Sequence, residues 1–184
     1  MLDPVHPWGR PLRRQLAADV LARVVSEPWE LEGYYRLRRA IFAEEQQLFE
    51  QSDVDAYDAH ATPIVATSQI AGMPDEVVGV VRIYETTPNV WYGGRLGVSR
   101  EYRRRGAVGA ALIYTAVSSA HAWGCERFFA TVQLQNVRYF EHNHFAELEQ
   151  IELCGRPHAL MAADLAAFPP CPRALARAST RRAA

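Results

Sequence analysis

The sequence contains no lysine; all 20 of its basic residues are arginine. A lysine Schiff base and a lysine nucleophile are therefore excluded as catalytic devices. Cysteine is scarce as well, with only Cys125, Cys154 and Cys171 in 184 residues. An odd number at such wide spacing fits neither a disulfide framework nor a set of zinc ligands, so we expect reduced thiols that pack in the interior and no metal site.

The chain also has little net charge and no long apolar run. Its formal net charge is −1, so no overall field attracts nucleic acid or an anionic membrane. No apolar run approaches the roughly 20 residues that cross a bilayer. The first residues have neither the basic start nor the apolar stretch of a secretory signal. We therefore expect a cytoplasmic protein that binds neither nucleic acid nor membranes, in which any anion site is local.

What is present is ordinary for a globular protein, with 49% hydrophobic and 22% charged residues. The length suits one domain with a substantial core. We place this domain at residues 16–168. A surface arm that contains three prolines precedes it at residues 1–15. An Arg/Ala-rich tail at 169–184 has too little apolar content to pack, and we expect it to be flexible.

Apolar periodicity predicts alternating groups of strands and helices. The first helix is amphipathic with a charged outer face, and an acidic loop at residues 51–62 follows it. Three strands with short connections then imply an antiparallel meander. The predicted strands cover residues 20–26, 63–70, 77–84, 90–98, 127–132, 145–153 and 158–165, and the predicted helices cover 29–49, 107–123 and 136–142.

This order predicts an α/β fold in which a mixed, mostly antiparallel central sheet carries helices on both faces. The strands on either side of the helix at 107–123 are joined by a crossover connection. Since such crossovers are right-handed, the two strands should be parallel neighbours, with Val98 beside Phe128.

Residues 96–112 hold the strongest functional signal. An apolar strand that ends at Val98 is followed by three consecutive arginines, two nearby glycines and a helix. Glycine lets the backbone approach a ligand closely, and the first N–H groups of a helix form an anion site that the helix dipole strengthens. The segment therefore predicts a pyrophosphate clamp. Its arginines and glycines are Arg103, Arg104, Arg105, Gly106 and Gly109.

The segment resembles the acetyl-CoA motif of the GCN5-related N-acetyltransferases (GNAT), in which Arg/Gln-x-x-Gly-x-Gly/Ala follows the fourth strand. Counting from Arg103 places Gly106 in the first small position but Val108 in the second. Counting from Arg104 places Ala107 and Gly109 in the two positions, and both registers stay open. The resemblance implies an acyl-CoA N-acyltransferase fold and acetyl-CoA as co-substrate. It also implies a backbone N–H near Val98 that polarises the thioester carbonyl.

A second block, residues 135–145, is similar to the family's Asn-x-x-Ala-x-x-Phe-Tyr-Glu-x-x-Gly-Phe segment. Phe140 stands where the family has the tyrosine that protonates the departing thiolate, so this acid is missing unless Tyr139 replaces it. The resemblance implies that Asn136 binds the pantetheine arm. The predicted cofactor-binding residues are Leu96, Val98, Arg103, Arg104, Arg105, Gly106, Ala107, Val108, Gly109, Ala110, Asn136 and Phe140.

Residues 38–46, 53–60 and 155–161 resemble the ElaA-type subgroup and a bacterial group of nitrogen-starvation N-acetyltransferases. The first two stretches are also similar to acyl-homoserine-lactone synthases, which share the fold. Together these resemblances imply a bacterial enzyme.

Candidates for the general base are Glu44, Glu45, His60 and His158. Glu44 and Glu45 are adjacent on one helix and face different ways, whereas His158 carries an imidazole, which titrates near neutrality. The acidic loop that holds His60 would favour a cationic amine if it lined the acceptor site. The predicted catalytic residues are His158, Glu45 and Tyr139.

The sequence thus predicts an acetyl-CoA-dependent N-acetyltransferase that transfers acetyl directly to a small-molecule amine. One alternative is an acyltransferase like the acyl-homoserine-lactone synthases, with a longer acyl donor. Another is a non-catalytic acyl-CoA sensor, which Phe140 in place of the acid suggests. A homodimer is compatible with the sequence.

Overall fold

A computed structural model describes residues 19–46, 52–103, 106–153, 155–171 and 176–179, the last segment by its backbone alone. Its strands are β1 (Asp19–Val24), β2 (Thr62–Ile70), β3 (Met73–Thr87), β4 (Val90–Val98), β5 (Arg127–Gln133), β6 (Phe145–Leu153), β7 (Arg156–Ala163) and β8 (Ala176–Ser179). Its helices are α1 (Pro28–Arg38), α2 (Ala107–Ala122) and α3 (Val137–His142).

Within these residues, eight strands form one sheet in the order β6-β7-β5-β4-β3-β2-β1-β8. β4 and β5 are parallel, and the other neighbours are antiparallel. β2 and β3 are joined by a tight turn at Ala71 and Gly72, which both have positive φ, as a two-residue hairpin turn requires. The predicted mixed, mostly antiparallel sheet is therefore confirmed.

Helices cover both faces of the sheet. Because side chains alternate along a strand, each strand contributes side chains to both faces. In β3, Val80 packs with Tyr34 of α1 on one face. Val81 and Ile83 join Leu112 of α2 in the main core on the other. We call these faces the α1 face and the α2 face. The predicted arrangement, with helices on both sides, is confirmed.

The first helix begins at Pro28, where Glu27 and Glu30 form a capping box. After Arg38 it continues as a π-helix over Arg39–Glu45, in which the N–H of Gln46 donates to the carbonyl of Ile41. Residues 47–50, the predicted end of this helix, lie outside the described residues. The predicted charged outer face is wrong at Arg38, which is fully buried. Burial is tolerated there because two carboxylates neutralise the guanidinium.

The parallel pair that the crossover predicts is present, but its register differs from the prediction. Phe128 pairs with Trp91, not with Val98, and the two strands are hydrogen-bonded only over Val90–Gly93 and Arg127–Ala130. The Val98 end of β4 diverges from β5 because a bulge bends the strand, as described below.

The two termini were expected to be a surface arm and a flexible tail. Residues 1–15 lie outside the described residues. In the tail, Ala176–Ser179 form β8, which pairs with β1 at the edge of the sheet. Backbone hydrogen bonds to an edge strand need no apolar side chains, so composition alone could not reveal this pairing. None of the helices in the described part of the chain is long and apolar enough to cross a membrane.

Candidate active site

The central feature of the site is a wedge-shaped gap between β4 and β5. Pairing ends at Gly93 and Ala130. Two positions further along β4, the two residues Arg95 and Leu96 stand opposite the single residue Val81 of β3. Arg95 has a φ of 55°, so this bulge is a strained, fixed bend. The bend separates β4 from β5, and the gap widens toward Val98.

The backbone of β4 presents polar groups to this gap. The N–H of Ser99 donates to the carbonyl of Val78, 2.8 Å away in β3. Since neighbouring residues of an antiparallel ladder point their polar groups to opposite edges, the N–H and C=O of Val98 face away from β3 and toward the gap. Nε of Arg103 donates to the Val98 carbonyl at 2.6 Å. The Val98 N–H is thus directed into the gap. That it polarises the thioester carbonyl, as the family resemblance implies, stays a prediction.

The N-terminus of α2 lies at the mouth of the gap. Gly106 caps the helix with a φ of 66°, and the first bond of the helix runs from the N–H of Ala110 to the carbonyl of Gly106. The N–H groups of Ala107, Val108 and Gly109 precede that bond and therefore have no partner within the helix. These groups, with the positive end of the helix dipole behind them, are where the anion site is predicted.

The three arginines before α2 do not have equivalent surroundings. Both Nη atoms of Arg103 donate to the carboxylate of Glu45, Nη2 at 2.9 Å, while its Nε holds the Val98 carbonyl. Arg103 therefore connects the end of the π-helix to the start of the cofactor loop, and all three of its guanidinium nitrogens are engaged. Arg104 and Arg105 lie outside the described residues.

The side chain of Tyr139, in α3, contacts the loop that precedes α2. Its hydroxyl donates to the carbonyl of Gly106 at 2.6 Å. A Cβ atom on Gly109 would lie only 2.5 Å from that hydroxyl, so the glycine makes room for the ring. Burial raises the pKa of Tyr139 to about 12. A phenol whose proton is committed to a carbonyl and whose pKa is raised is a poorer general acid, and this geometry favours a supporting role.

Phe140 lies at the closed end of the gap. Its ring is buried and lines a small apolar cavity with Gly93, Leu96 and Phe145, whose ring centroid is 5.2 Å away. The side chain in the place of the family's acid therefore has an apolar packing role. Asn136 is exposed at the end of a 3₁₀ turn, and its binding to pantetheine stays a prediction.

The four candidates for the general base differ in their hydrogen bonds and ion pairs. The hydrogen bonds from Arg103 lower the pKa of Glu45, which makes its carboxylate a weak base. Nδ1 of His158 lies 2.9 Å from the carbonyl of Arg156. Because a carbonyl can only accept, Nδ1 carries the hydrogen and Nε2 of the neutral ring keeps its lone pair. Glu44 pairs with Arg39 at 3.4 Å, and His60 is exposed.

His158 lies on the α1 face of the sheet. It pairs with Gln133 at the end of β5, and the alternation of β5 puts Gln133 on the same face as Phe129. Since Gln133 follows the last paired residue, Ala130, by three positions, His158 is about 10 Å along the strand from the closed end of the gap.

The acidic loop is neutralised by arginines from three separate elements. Nε of Arg38 lies 2.7 Å from Asp53, and Nη2 of Arg82 lies 2.6 Å from Asp55. Asp53 is only 2% exposed. The Arg/Asp cluster consists of Arg38, Arg82, Arg95, Asp53, Asp55 and Asp58.

The cluster therefore contains equal numbers of positive and negative side chains. The expectation that these aspartates attract a cationic amine is wrong, because ion pairs with the arginines neutralise their charges. In the described part of the chain, no group of three or more His, Cys, Asp and Glu side chains is arranged to hold a metal ion.

A family model described as the acetyltransferase (GNAT) family matches residues 25–145, which is more than half of the chain. The chain belongs to the GNAT family. The matched region contains the split strands, the loop of arginines and glycines, and the N-terminus of α2. The acyl-CoA N-acyltransferase fold that the sequence predicts is confirmed.

Solved structures share this GNAT fold. A candidate N-acetyltransferase from Lactobacillus plantarum has 22% identity and a TM-score of 0.69, and the match covers 78% of this chain and 97% of that one. Escherichia coli ElaA has 23% identity and a TM-score of 0.65, with 79% and 98% covered. A Bacillus subtilis acetyltransferase solved in complex with CoA has 16% identity and a TM-score of 0.59, with 79% and 99% covered. No curated protein sequence matches the chain significantly.

Two parts of this GNAT site escaped sequence reasoning. Arg82 and Arg95 lie in strands, far along the chain from the aspartates that they bind, and only the β3–β4 register brings them together. Tyr84 and Tyr92 look like ordinary strand residues, although they are direct partners on the α1 face. A polar or aromatic residue at an inward strand position is the signal that could have singled them out.

Proposed function

We propose that this protein is an acetyl-CoA-dependent N-acetyltransferase that transfers the acetyl group directly to a small-molecule amine. The observation that carries the proposal is the gap between β4 and β5, which has the N-terminus of α2 at its mouth and an apolar closed end at Phe140. A ligand with an anionic head, an extended amide-containing arm and a small acyl group matches these three parts in order.

Two sets of backbone N–H groups would bind acetyl-CoA. The N–H groups of Ala107, Val108 and Gly109 would hold the pyrophosphate, and the N–H of Val98 would bind the amide-bearing arm. We assign the motif to the register that starts at Arg104. In that register Ala107 and Gly109 occupy the two small positions, and Arg103 is already bound to Glu45. Arg104 would then contact the phosphates.

Acetyl-CoA supplies an activated thioester, and the protein must free the lone pair of the attacking amine. His158 is the base in this proposal, since its Nε2 lone pair is on the α1 face and no described residue binds it. Because His158 lies about 10 Å along the strand from the closed end, it would accept the proton of the amine through bridging water. The nitrogen then attacks the carbonyl carbon, the N–C bond forms and the C–S bond breaks. A free thiol has a pKa of about 8.5, so the sulfur leaves acceptably as a thiolate without an acid at Phe140.

Acetyl-CoA binding tests the proposal. Saturating acetyl-CoA should raise the midpoint of thermal unfolding, because a ligand that binds the folded state stabilises it. Arg104→Gln should weaken binding by roughly 10- to 100-fold, the range for a charged hydrogen bond, while Arg103→Gln should weaken it less. Absence of any thermal shift at saturation would sink the cofactor assignment.

Phe140 also favours a second function, that of an acyl-CoA-binding sensor without turnover. An apolar side chain replaces the family's acid, and the neighbouring tyrosine is tied to Gly106. Binding of acetyl-CoA without thiol release across a broad panel of amines would select the sensor. Thiol release that depends on an added amine would select the transferase.

A further inference from the structure

Four aromatic side chains form a row on the α1 face, which we call the aromatic row: Tyr57, Tyr84, Tyr92 and Phe129. The rings of Tyr57 and Tyr84 stack with centroids 4.5 Å apart and an interplanar angle of 22°. Those of Tyr84 and Tyr92 are 6.2 Å apart, and those of Tyr92 and Phe129 are 5.4 Å apart. The spacing follows from the sheet register, since Tyr92 is the direct partner of both Tyr84 and Phe129.

The row crosses the sheet at the closed end of the gap. Tyr92 and Phe129 are the last pair before Gly93 and Ala130, where pairing stops. On the α2 face, α2 covers this level of the sheet, because its residues Ile113 and Val117 line the small apolar cavity beside Gly93. The aromatic row is therefore on the face from which an acceptor would approach an acyl group at the closed end.

A buried hydrogen-bond donor lies in the floor of this face. The side chain of Arg82 is 3% exposed and its Nη atoms bind Asp55 and Asp58. Its Nε is buried and has no partner among the described residues. Arg82 pairs with Gly94, and a Cβ atom on Gly94 would lie 3.8 Å from this Nε. A buried, unpaired donor costs free energy, so this one is placed to receive an acceptor atom of a ligand.

Charge contributes little to selection at this surface. The Arg/Asp cluster beside Tyr57 is neutral overall, and the Arg127 guanidinium lies over the Phe129 ring at 6.0 Å. An oligocationic amine would find no free carboxylate in the cluster. The favourable interactions on offer are ring stacking and the Arg82 donor. Tyr57 is 45% exposed, so the end of the row is accessible.

We propose that the aromatic row is the acceptor subsite and that it selects primary amines carrying an aromatic ring. This inference rests on the proposed acetyl transfer and names its substrate class. The aromatic ring of the acceptor packs against the row, which holds its amino group at the closed end of the gap.

Two amines with the same carbon skeleton test whether the row selects aromatic acceptors. Benzylamine and cyclohexylmethylamine have the same carbon skeleton and differ in the saturation of the ring and in amine basicity, so kcat/KM is expressed per concentration of the free-base amine. The wild-type protein should show a kcat/KM for benzylamine that is roughly 3- to 10-fold higher, the range that stacking provides. Tyr92→Leu should abolish this preference and leave the KM for acetyl-CoA unchanged. Tyr57→Leu, at a position that is 45% exposed, should reduce it.

The control is Tyr114→Leu, which removes an exposed tyrosine on α2, away from the row, and should keep the preference. Binding of N-benzylacetamide and N-(cyclohexylmethyl)acetamide to the CoA-loaded protein, followed by ligand-observed NMR, gives a second readout that needs no turnover. The aromatic amide should bind more tightly, and Tyr92→Leu should remove the difference.

The outcomes separate the two proposals. Transfer to both amines at equal kcat/KM overturns the aromatic subsite and leaves the transferase intact. Preferential binding of the aromatic amide without any transfer supports the subsite and overturns the transferase. Equal binding of both amides, or binding of neither, overturns the subsite whatever the transfer assay shows.

Discussion

The proposed cofactor side and the proposed acceptor side of this site are built in different ways. The cofactor side uses backbone groups from one continuous stretch, from Val98 to the first turn of α2. The acceptor side uses side chains from α1, the acidic loop, β3, β4, β5 and β7. Backbone donors can be supplied by many sequences, whereas a neutral ion-pair cluster and a row of rings require particular residues at distant positions. A GNAT protein can therefore keep its cofactor while its acceptor changes.

The largest effect that would sharpen this comparison is expected at Arg38, which is buried on the acceptor side. Arg38→Met keeps the length of the side chain but leaves Asp53 and Asp58 with one arginine fewer. Breaking a buried ion pair should lower the free energy of unfolding by about 3 kcal/mol, measured by urea denaturation. Arg36→Met is the matched control on the same helix, because its pair with Glu32 is exposed, and it should cost about 0.5 kcal/mol or less.

The wild-type protein and Arg38→Met should also differ in how their stability depends on pH. Burial by itself would raise the pKa of Asp58, but hydrogen bonds from Arg38, the Asp55 backbone and Arg82 hold it well below its usual range. A carboxylate of this kind stabilises the fold fully above its unfolded pKa of about 3.9 and loses that contribution as the pH falls. The stability difference between wild type and Arg38→Met should be constant from about pH 8 to 5 and narrow below about pH 4. A constant difference down to pH 2 would contradict the role of Asp58.

The next largest effect separates the two base candidates. His158→Gln should lower kcat/KM for the amine by about 100-fold and leave acetyl-CoA binding unchanged, because general base catalysis is lost on the acceptor side alone. Glu45→Gln should change kcat by no more than roughly 3-fold, since it only weakens an exposed pair with Arg103. A reversed order of the two effects would assign the base to Glu45.

The smallest expected effect belongs to the cofactor side. Tyr139→Phe removes the hydrogen bond to the Gly106 carbonyl, worth about 1 kcal/mol, and should raise the KM for acetyl-CoA about 5-fold without changing kcat. If Tyr139 were the general acid, kcat would fall instead and KM would hold. Tyr35→Phe, at an exposed position on α1, serves as the control for loss of a tyrosine hydroxyl.

The local part of the site could be predicted from the sequence. The run of arginines and glycines before a helix specifies a turn and a helix N-terminus through short-range geometry, and α2 begins at Ala107 as predicted. The order of strands and the crossover likewise predicted the parallel neighbours β4 and β5. The register of that pair could not be predicted, because the bulge at Arg95 needs the partner strand to define it.

The sequence by itself determined that this chain forms a mixed α/β sheet with a loop of arginines and glycines between its fourth strand and a helix, because both features arise from patterns within a few residues. Only the tertiary structure decided what surrounds that loop. It buried Arg38 against the aspartates and paired Arg103 with Glu45. It also aligned Tyr84, Tyr92 and Phe129 across three strands. The physical reason is that ion pairs and ring contacts depend on the distance between side chains in space, which strand register sets and local sequence does not.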